Sequence, residues 1–356
     1  MPLEISAYCV SLKISIGSVV TQMDANRCGA ILIVDESRHL LGIVTDGDIR
    51  RAILAKVDFN FPIERLLKIK VGSSHAQPIS APVGVDPQIY RTLLKKHSIF
   101  YLPLVDEQSR VAGFITAADL FVGEPLSLRA VVMAGGFGNR LRPLTEDTPK
   151  PMLPVGDKPI LEHIISQLRQ AGIRSVDVTT HYKGEMISNH FGDGKNYGVD
   201  IRYVKEDQPL GTAGSLALLE KSEEPLLVIN GDIVTQVDFR RMLEFHKEHR
   251  ADMTVAVRKY DLCVPYGVVE TSGAVVSRVV EKPVIENFIN AGIYLLNPDV
   301  HALISGGTAQ DMPDLINKLI AGGKKVASFP VHEYWIDIGR LEEYERAQKE
   351  AVLNGK

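Results

Sequence analysis

The chain has 356 residues, more than one ordinary domain holds, so two or three domains are expected. A formal net charge of −4, with 24% charged and 45% hydrophobic residues, is typical of a soluble globular protein and gives no sign of a nucleic-acid partner. The sequence has no apolar run long enough for a membrane, no signal-peptide pattern and only three scattered cysteines, which predicts a reducing, cytoplasmic location without disulfides or zinc.

The first third of the chain contains an internal repeat. The stretch GAILIVDESRHLLGIVTDGDIRRAIL is echoed later by FYLPLVDEQSRVAGFITAADLFVG. In both copies a strand ends in Val-Asp-Glu, and a second strand, starting at Gly42 or Gly113, runs into Thr-x-x-Asp. Helical stretches precede the strands at about 18–25 and 87–97. The pattern predicts a β-α-β-β-α unit in duplicate, each too small to bury its face alone.

This repeat resembles a tandem pair of CBS domains, which we assign to residues 1–122, with a linker at 123–128. The resemblance implies that the hydroxyl and carboxylate of each Thr-x-x-Asp turn bind the ribose of an adenine nucleotide. The residues are Thr45 and Asp48 in the first copy and Thr116 and Asp119 in the second. The alternative is that each aspartate caps the following helix. Paired CBS modules commonly dimerise, so a homodimer is one expectation.

Residues 129–356 alternate strand and helix patterns, which predicts an α/β domain with a mostly parallel, Rossmann-like sheet covered by helices. The expected strands are Ala130–Ala134, Ser175–Thr180, Ile201–Val204, Leu226–Asn230, Met253–Val257 and Ile293–Leu296. The expected helices include Pro159–Ala171, Gly211–Leu219, Val237–Glu248 and Leu341–Leu353. Ligands of such sheets bind beyond the carboxyl ends of the strands.

The first of these strands leads into a glycine-rich loop, RAVVMAGGFGNRLRPLTEDTPKPMLP. Gly135, Gly136 and Gly138 can turn backbone amides toward a ligand, and Arg140 and Lys150 follow as cations. Such a combination favours a polyphosphate. The loop is neither a Walker A motif nor the GxGxxG dinucleotide fingerprint, which would need a third glycine after Arg140.

Two carboxylates stand at predicted strand ends in distant parts of the chain. Asp232 follows the strand PLLVING, and Asp337 lies in YWIDIG. Because Mg²⁺ is usually held by one or two carboxylates together with phosphate oxygens and water, the pair predicts a magnesium site.

Four further motifs complete the pattern. They are EDQPLGTAG at 206–214, PYGV at 265–268, VEKP at 280–283 and NAG at 290–292. In this order, and with the intact string GGxGxRLxPLT, the chain from Arg129 onward resembles the sugar-1-phosphate nucleotidyltransferase family. The family reaction is attack by a sugar 1-phosphate oxygen on the α-phosphorus of a nucleoside triphosphate. It needs positioning and charge neutralisation rather than a protein nucleophile.

The resemblance implies a role for each motif residue. Arg140, Lys150 and Lys282 would act on the reacting phosphates, and Asp232 and Asp337 would hold Mg²⁺. The nucleotide would contact Gly135, Gly136, Gly138, Glu206, Gly211 and Thr212. The sugar would contact Gly267, Glu281 and Asn290.

The residue at 206 bears on the base. Glutamine near this position suits uracil or thymine, whereas an ionised Glu206 only accepts hydrogen bonds and therefore favours the two adjacent donors of guanine. If Gln208 reads the base instead, UTP or dTTP with glucose 1-phosphate becomes the alternative.

The expected sugar is glucosamine 1-phosphate or mannose 1-phosphate. Glucosamine 1-phosphate is the substrate of the legionaminic acid enzymes, which this combination of CBS and guanylyltransferase domains resembles. A rival hypothesis is an adenylate sensor with an inactive transferase domain.

Overall fold

The structure, a computed structural model, describes residues 5–26, 28–70, 77–97, 99–120, 126–304 and 306–354. Its internal contacts divide the chain into two compact units, Met1–Glu124 and Pro125–Lys356. The linker predicted at 123–128 begins among residues that lie outside the described ranges. Within those ranges, no helix has the length and apolar character needed to cross a membrane.

The N-terminal unit contains two β-α-β-β-α repeats, as the sequence predicts. The first has β1 (Cys9–Val10), α1 (Ile16–Ala25), β2 (Ala30–Val34), β3 (Leu40–Thr45) and α2 (Asp46–Leu54), followed by α3 (Glu64–Lys70). The second has β4 (Ala81–Pro82), α4 (Pro87–His97), β5 (Tyr101–Val105), β6 (Val111–Thr116) and α5 (Ala117–Leu120). In each repeat the first strand is parallel to the second, and the second is antiparallel to the third. The third strand begins two residues before the predicted glycine.

Helix α1 shows how local sequence sets these elements. Ser15 caps it, because the serine hydroxyl accepts a hydrogen bond from the Ser18 amide at 3.1 Å. Ile16, Val19 and Met23 recur at helical spacing and are buried in the core of the first repeat. The helix is therefore fixed by one cap and one apolar face.

The C-terminal unit begins with the glycine-loop strand and ends with a long helix. Its strands are β7 (Arg129–Met133), β8 (Pro154–Val155), β9 (Lys158–Pro159), β10 (Ser175–Thr180), β11 (Asp200–Lys205), β12 (Leu226–Asn230), β13 (Ile233–Thr235), β14 (Met253–Cys263), β15 (Val268–Ser272), β16 (Val275–Val280), β17 (Val284–Leu296), β18 (Val326–Val331) and β19 (Trp335–Asp337). Its helices are α6 (Ile160–Ala171), α7 (Gly184–Phe191), α8 (Gly211–Gly214), α9 (Phe239–Glu248), α10 (Pro298–Ala302), α11 (Met312–Ala321) and α12 (Leu341–Asn354).

A seven-stranded sheet in the described chain, of order β11-β10-β7-β12-β17-β14-β18, organises this unit. The pairs β11–β10, β10–β7, β7–β12 and β14–β18 are parallel, whereas β17 runs antiparallel to both of its neighbours. The sheet is therefore mixed and rich in parallel pairs, as predicted. Since β7 and β12 are parallel neighbours, the glycine loop and Asp232 leave the same edge of the sheet.

Helices cover both faces of the sheet, and side chains alternate between two cores. Ala130 and Val132 of β7 join one core, while Val131 joins the other, as the period of two along a strand requires. All three are fully buried. This double covering explains why the central strands read as continuous apolar runs.

Strands β14 and β17 extend well beyond their predicted ends. Pairing continues from Val257 opposite Asn290 to Cys263 opposite Val284, and the short β15–β16 hairpin lies between them. We name residues 258–289 the β-arm. Most of the β-arm is exposed, so its sequence lacks the alternation of buried and polar residues that marks a strand. The predicted helix at 211–219 is also divided: α8 ends at Gly214, and a 3₁₀ turn, Ser215–Leu218, follows.

Candidate active site

Side-chain hydrogen bonds to backbone carbonyl groups hold the glycine loop in place. The buried Thr145 hydroxyl donates to the Gly138 carbonyl at 2.8 Å. Gly138 has φ +66°, and a Cβ there would lie 2.9 Å from Thr145, so glycine is required on both grounds. Farther along, the Tyr182 hydroxyl and the Lys183 ammonium donate to the Glu146 carbonyl at 2.9 and 2.5 Å. The loop therefore has a fixed shape, and sequence reasoning missed the two residues from outside it.

Glu206 lies against the first glycine of the loop. A Cβ on Gly135 would stand 2.8 Å from the Glu206 Oε1 atom and 3.5 Å from His181, whereas one on Gly136 would meet open space. Glu206 is buried, and its Oε2 atom accepts a hydrogen bond from the Leu210 amide at 3.2 Å. The predicted base-reading carboxylate is thus held beside the predicted phosphate loop.

The two predicted metal carboxylates are brought together by a short antiparallel pair of strands. In the β13–β19 ladder Ile233 lies opposite Asp337, and the Ile338 amide donates to the Asp232 carbonyl at 3.0 Å. Gly231, between β12 and Asp232, donates its amide to the Met133 carbonyl, and a Cβ there would lie 2.6 Å from that oxygen. The glycine therefore lets the Asp232 turn close tightly onto β7.

Lys150 reaches the same place from the glycine loop. Its ammonium donates to Oδ2 of Asp232 at 2.5 Å, and both side chains are mostly shielded from solvent. The other oxygen of that carboxylate, Oδ1, is buried and has no hydrogen-bond partner in the described part of the chain. A buried carboxylate oxygen without a donor suits a divalent cation, so these residues fit the metal that the resemblance implies.

The surroundings of Asp337 disfavour its negatively charged form. Burial is the main cause that raises the pKa of Asp337 to about 6, and the Asp232 carboxylate adds to it, while Lys150 and Arg140 oppose the shift. Solvent reaches Asp337 from the open side, but protein surrounds it on the others. Arg140 itself is exposed in a 3₁₀ turn, Asn139–Leu141, on the loop side. Two carboxylates and two cations therefore converge where phosphates and a metal would meet.

A cavity of about 330 Å³ adjoins the carboxylates. Three predicted site residues line it: Asp337 for the metal, Asn290 for the sugar and Thr212 for the nucleotide. Other lining residues were not predicted, and they include Asn230, Tyr294 and Asp311. Asn230 is the last residue of a strand that the sequence identified, so its position at a carboxyl end was the available signal.

Gly211 and Thr212 pack against a later segment of the chain. A Cβ on Gly211, which has φ +74°, would lie 2.6 Å from both Asp311 Oδ1 and the Gln310 carbonyl oxygen. The Thr212 amide donates to Asp311 Oδ1 at 3.3 Å, and the Thr212 hydroxyl accepts from the Met312 amide at 2.9 Å. The glycine is thus required by the approach of residues 310–311, and the contact brings Thr212 and Asp311 together in the lining of the cavity.

The other two predicted sugar residues and Lys282 form a group partway along the β-arm, between the β14–β17 ladder and the β15–β16 hairpin. Gly267 and Glu281 flank the paired residues Val268 and Val280, and a Cβ on Gly267 would lie 3.0 Å from Glu281 Oε2. Lys282 adopts φ +44° and donates its amide to the Tyr266 carbonyl at 3.2 Å. All three are exposed, and none lines the cavity within the described ranges. The structure therefore joins Asn290 to the carboxylates but leaves these three on the neighbouring arm.

The two Thr-x-x-Asp turns of the N-terminal unit differ. In both, the aspartate accepts hydrogen bonds from the amide and hydroxyl of its threonine, at 2.8 and 3.0 Å for Asp48 and at 2.8 and 2.7 Å for Asp119. Asp48 is also paired with Lys70 at 2.8 Å and Arg51 at 2.6 Å, which outweigh its burial and lower its pKa. Asp119 has no ion pair among the described residues. Both turns therefore have hydrogen bonds of the kind that the capping alternative requires. Among the described residues, a cation pairs with Asp48 but not with Asp119.

Comparison with known families agrees with this geometry. Residues 129–352 match the nucleotidyl transferase family, and residues 5–55 match the CBS domain. Because the first match covers more than half of the chain, the protein belongs to the nucleotidyl transferase family, with a CBS domain at its N-terminus.

Particular relatives narrow the comparison. The chain is 36% identical to the mannose-1-phosphate guanyltransferases of Schizosaccharomyces pombe, over 227 residues, and Candida albicans, over 231 residues. Each match covers 61% of this chain and 62% of the relative, so the chain spans less than two thirds of their length.

Two solved structures share the fold. One is a Bacillus anthracis protein assigned as a glucose-1-phosphate thymidylyltransferase, in complex with sucrose, with 26% identity and a TM-score of 0.52 over 63% of this chain and 95% of that one. The other is HddC from Yersinia pseudotuberculosis complexed with GMP-PN, with 25% identity and a TM-score of 0.50 over 62% and 98%.

Proposed function

We propose that the protein transfers the nucleoside monophosphate of GTP to a hexose 1-phosphate and releases pyrophosphate. The observation that carries this proposal is the pairing of Asp232 with Lys150 and Asp337 beside a cavity that Asn290 also lines. An oxygen of the sugar phosphate forms a new bond to the α-phosphorus. The bond from that phosphorus to the β-phosphate bridge breaks, and pyrophosphate carries away the electron pair.

The chain's own residues lower the repulsion between the two anions. Lys150 lies where the triphosphate emerges from the glycine loop, and Arg140 offers a fork of donors to the departing pyrophosphate. Lys282 would approach the sugar phosphate from the β-arm. No side chain has to form a covalent bond, so positioning and electrostatic stabilisation are sufficient.

Asp232 and Asp337 are the residues that would hold a divalent cation, for which we propose Mg²⁺. When bound, the ion neutralises phosphate charge and helps to orient the α-phosphate. The orphaned Oδ1 atom of Asp232 supports this assignment. So does the proximity of the second carboxylate, whose charge the cation would offset.

Guanine is the base that the site favours. Glu206 sits beside Gly135 and can only accept hydrogen bonds, which suits the N1–H and N2–H₂ donors of guanine. The names of the curated relatives and the GMP derivative bound to HddC support the same choice.

For the sugar we propose mannose 1-phosphate, on the strength of the relatives. Glucosamine 1-phosphate, the substrate of the legionaminic acid enzymes with a similar domain combination, is the second candidate. In either case residues 129–356 would carry the transfer, and residues 1–122 would regulate or assemble it.

The test is pyrophosphate release by the full chain with GTP, UTP, dTTP, CTP or ATP against mannose, glucosamine and glucose 1-phosphates. We expect the largest kcat/KM with GTP, and loss of turnover when a chelator removes the divalent cation. Preference for UTP or dTTP with glucose 1-phosphate would support the alternative transferase. The absence of turnover with every pair would favour an adenylate sensor with an inactive transferase domain.

A second role, adenine nucleotide binding, is favoured by the open turn of the second repeat. Asp119 is exposed and Thr116 is half-buried, and a carboxylate and hydroxyl together can bind a ribose diol. In the first repeat, Lys70 and Arg51 already occupy the Asp48 carboxylate. We therefore propose the second repeat as the nucleotide site. Calorimetry with AMP and ATP should show binding that D119A abolishes; equal binding by wild type and D119A would contradict this assignment.

A further inference from the structure

His181 directly follows β10, at the carboxyl edge of the sheet from which the glycine loop also leaves. Its side chain is half-buried. A Cβ on Gly135 would lie 3.5 Å from the His181 Cβ atom and 2.8 Å from Glu206 Oε1, so both side chains border the first glycine of the loop. The histidine thus lies between the segment proposed to read the base and the loop proposed to bind the triphosphate.

The first contact of His181 is with the backbone of Glu206. The Nδ1 atom lies 2.8 Å from the Glu206 carbonyl oxygen. Because a carbonyl oxygen only accepts, Nδ1 carries the proton and is the donor. The β10–β11 ladder ends at Thr180 opposite Lys205, and the Glu206 amide still donates to the Thr180 carbonyl at 2.8 Å. The histidine therefore supplies the next hydrogen bond after the ladder has ended.

This hydrogen bond bears on the direction of the Glu206 carboxylate. Glu206 is only 6% exposed, and a buried backbone carbonyl requires a partner. The Oε2 atom of Glu206 accepts from the Leu210 amide, and Oε1 is the oxygen that borders Gly135. Without the imidazole N–H, the Glu206 peptide would have to turn toward another donor, and its carboxylate would move with it.

The second contact of His181 is with the glycine loop. Phe137 stands between Gly136 and Gly138, and its ring packs edge-to-face against the imidazole, with centroids 5.4 Å apart and planes at 86°. The Tyr182 ring supports the same phenylalanine at 5.6 Å. Phe137 nevertheless remains 44% exposed. An aromatic pair of this geometry is favourable beyond its buried area, so the imidazole restrains the middle of the loop.

We propose that His181 is a positioning residue for nucleotide recognition, which directs the Glu206 carboxylate through its N–H and restrains the glycine loop through its ring. One side chain thereby couples the reading of the base to the binding of the triphosphate. The inference rests on the proposed guanylyl transfer and adds a residue to it. Groups that contact a ligand need such support, because small displacements cost much of their effect.

Two substitutions separate the two contacts. H181N keeps a donor close to the place of Nδ1 but removes the ring, whereas H181F keeps a ring but removes the donor. For each variant of the full chain, kcat and KM are measured with GTP and with ITP, which lacks the guanine 2-amino group, at a saturating concentration of the preferred hexose 1-phosphate. The values compared are KM and a ratio of kcat/KM, so they do not depend on the amount of folded enzyme.

Wild type should prefer GTP to ITP by about 10-fold or more in kcat/KM. H181F should reduce this preference by about 3-fold or more, since the Glu206 carbonyl loses its donor. H181N should keep the preference but raise KM for GTP and ITP alike by about 3- to 10-fold, because a less restrained loop must be ordered on binding. H181A should combine both effects, and it repeats the test if H181F does not fold.

The matched control is H190N, which replaces an exposed histidine of α7 and should reproduce every wild-type value. Two results would overturn the inference. They are an H181F variant with the wild-type preference for GTP over ITP, and an H181N variant with wild-type KM values. If the thermal midpoint falls while these values stay unchanged, the histidine only supports the fold.

The wild-type enzyme tests the proposed function separately. Absence of turnover with every nucleotide and sugar phosphate would refute the proposed transfer. Equal use of GTP and ITP by an active wild type would refute the reading of guanine by Glu206, and the inference with it.

Discussion

Lys150 and Asp232 form an ion pair at 2.5 Å. The lysine comes from the glycine loop after β7, and the aspartate follows the neighbouring strand β12. In the free protein the lysine thus occupies one oxygen of a proposed metal ligand. Binding of triphosphate and cation would exchange this contact for two others, with Lys150 turning to phosphate and Asp232 to the metal.

The variant K150M should distinguish the effect of Lys150 on turnover from its effect on metal binding by Asp232. We expect turnover to fall by about 100-fold or more, equivalent to about 2.7 kcal/mol of lost transition-state stabilisation. Binding of Mg²⁺ or Mn²⁺ to the free protein should be unchanged or stronger, because the competing ammonium is gone. K158M, which removes an exposed lysine 3.5 Å from Glu162, is the matched control. A parallel loss of metal binding would show that Lys150 only supports the fold.

D337N should stabilise the metal-free protein at neutral pH. The substitution removes a carboxylate that faces Asp232 without a metal between them. We expect the thermal midpoint of D337N to exceed that of wild type in a chelator, while activity is lost. Added Mg²⁺ should raise the midpoint of wild type but not of D337N, since ligands stabilise the state they bind. A lower midpoint for D337N in chelator would contradict the repulsion argument.

E206Q should change nucleotide choice more than turnover. A glutamine at 206 offers a donor where guanine also donates, so kcat/KM for GTP should fall by about 10-fold or more relative to UTP and dTTP. The Leu210 amide can still be satisfied, because the side-chain oxygen of glutamine accepts. Q208E on the same segment provides the comparison. An unchanged nucleotide preference in E206Q, with a change in Q208E, would assign base reading to residue 208.

His246 should make the stability of the C-terminal unit depend on pH. It is buried between the Thr254 hydroxyl and the Asn297 side chain, at 2.8 and 3.0 Å, and burial lowers its pKa below the usual 6.5. The unfolded chain therefore takes up a proton at a higher pH than the folded one. This contribution to stability is complete above about pH 6.5 and is lost as the pH falls below it.

Urea unfolding followed by fluorescence of Trp335, the single tryptophan, measures this effect in the right unit. H246Q should be less stable than wild type at pH 8 and should show a flatter decline between pH 7 and 5. H39Q, at the surface of the other unit, is the control. Equal slopes for wild type and H246Q would refute the assignment.

K70M tests what the ion pair between Lys70 and Asp48 does in the first Thr-x-x-Asp turn. Without Lys70, the buried Asp48 carboxylate loses one of its two cations, so the N-terminal unit should unfold at lower temperature. If the lysine also excludes nucleotide, K70M should bind a second equivalent of AMP in calorimetry. K68M, which removes an exposed partner of Glu64 on the same helix, should change neither property. A stable K70M protein would show that the ion pair is dispensable.

The sequence predicted the buried parts of this fold well and the exposed parts poorly. Strands such as Leu226–Asn230 were predicted with correct bounds because both of their faces are buried. The β-arm was not predicted, since exposed strands carry no such pattern. The predicted strands Met253–Val257 and Ile293–Leu296 cover only the buried parts of β14 and β17. Within the candidate site, the motifs pointed to Lys150, Asp232 and Asp337, and the structure brings these three together; their roles stay predictions.

Asp311 could not be predicted in the same way. Its place at the site depends on which distant segment folds beside it, since residues 310–311 fill the space left by Gly211. That information is absent from local spacing. The asymmetry of the two aspartate turns had a similar cause, because Lys70 reaches Asp48 from another helix.

The β13–β19 ladder places Asp232 beside Asp337, near the far end of the chain. During synthesis the glycine loop, Lys150 and Asp232 leave the ribosome long before their partner carboxylate does. A stalled or prematurely terminated chain would therefore possess the proposed phosphate loop without the complete proposed metal site. Catalytic competence should therefore arise only after β19 has emerged from the ribosome.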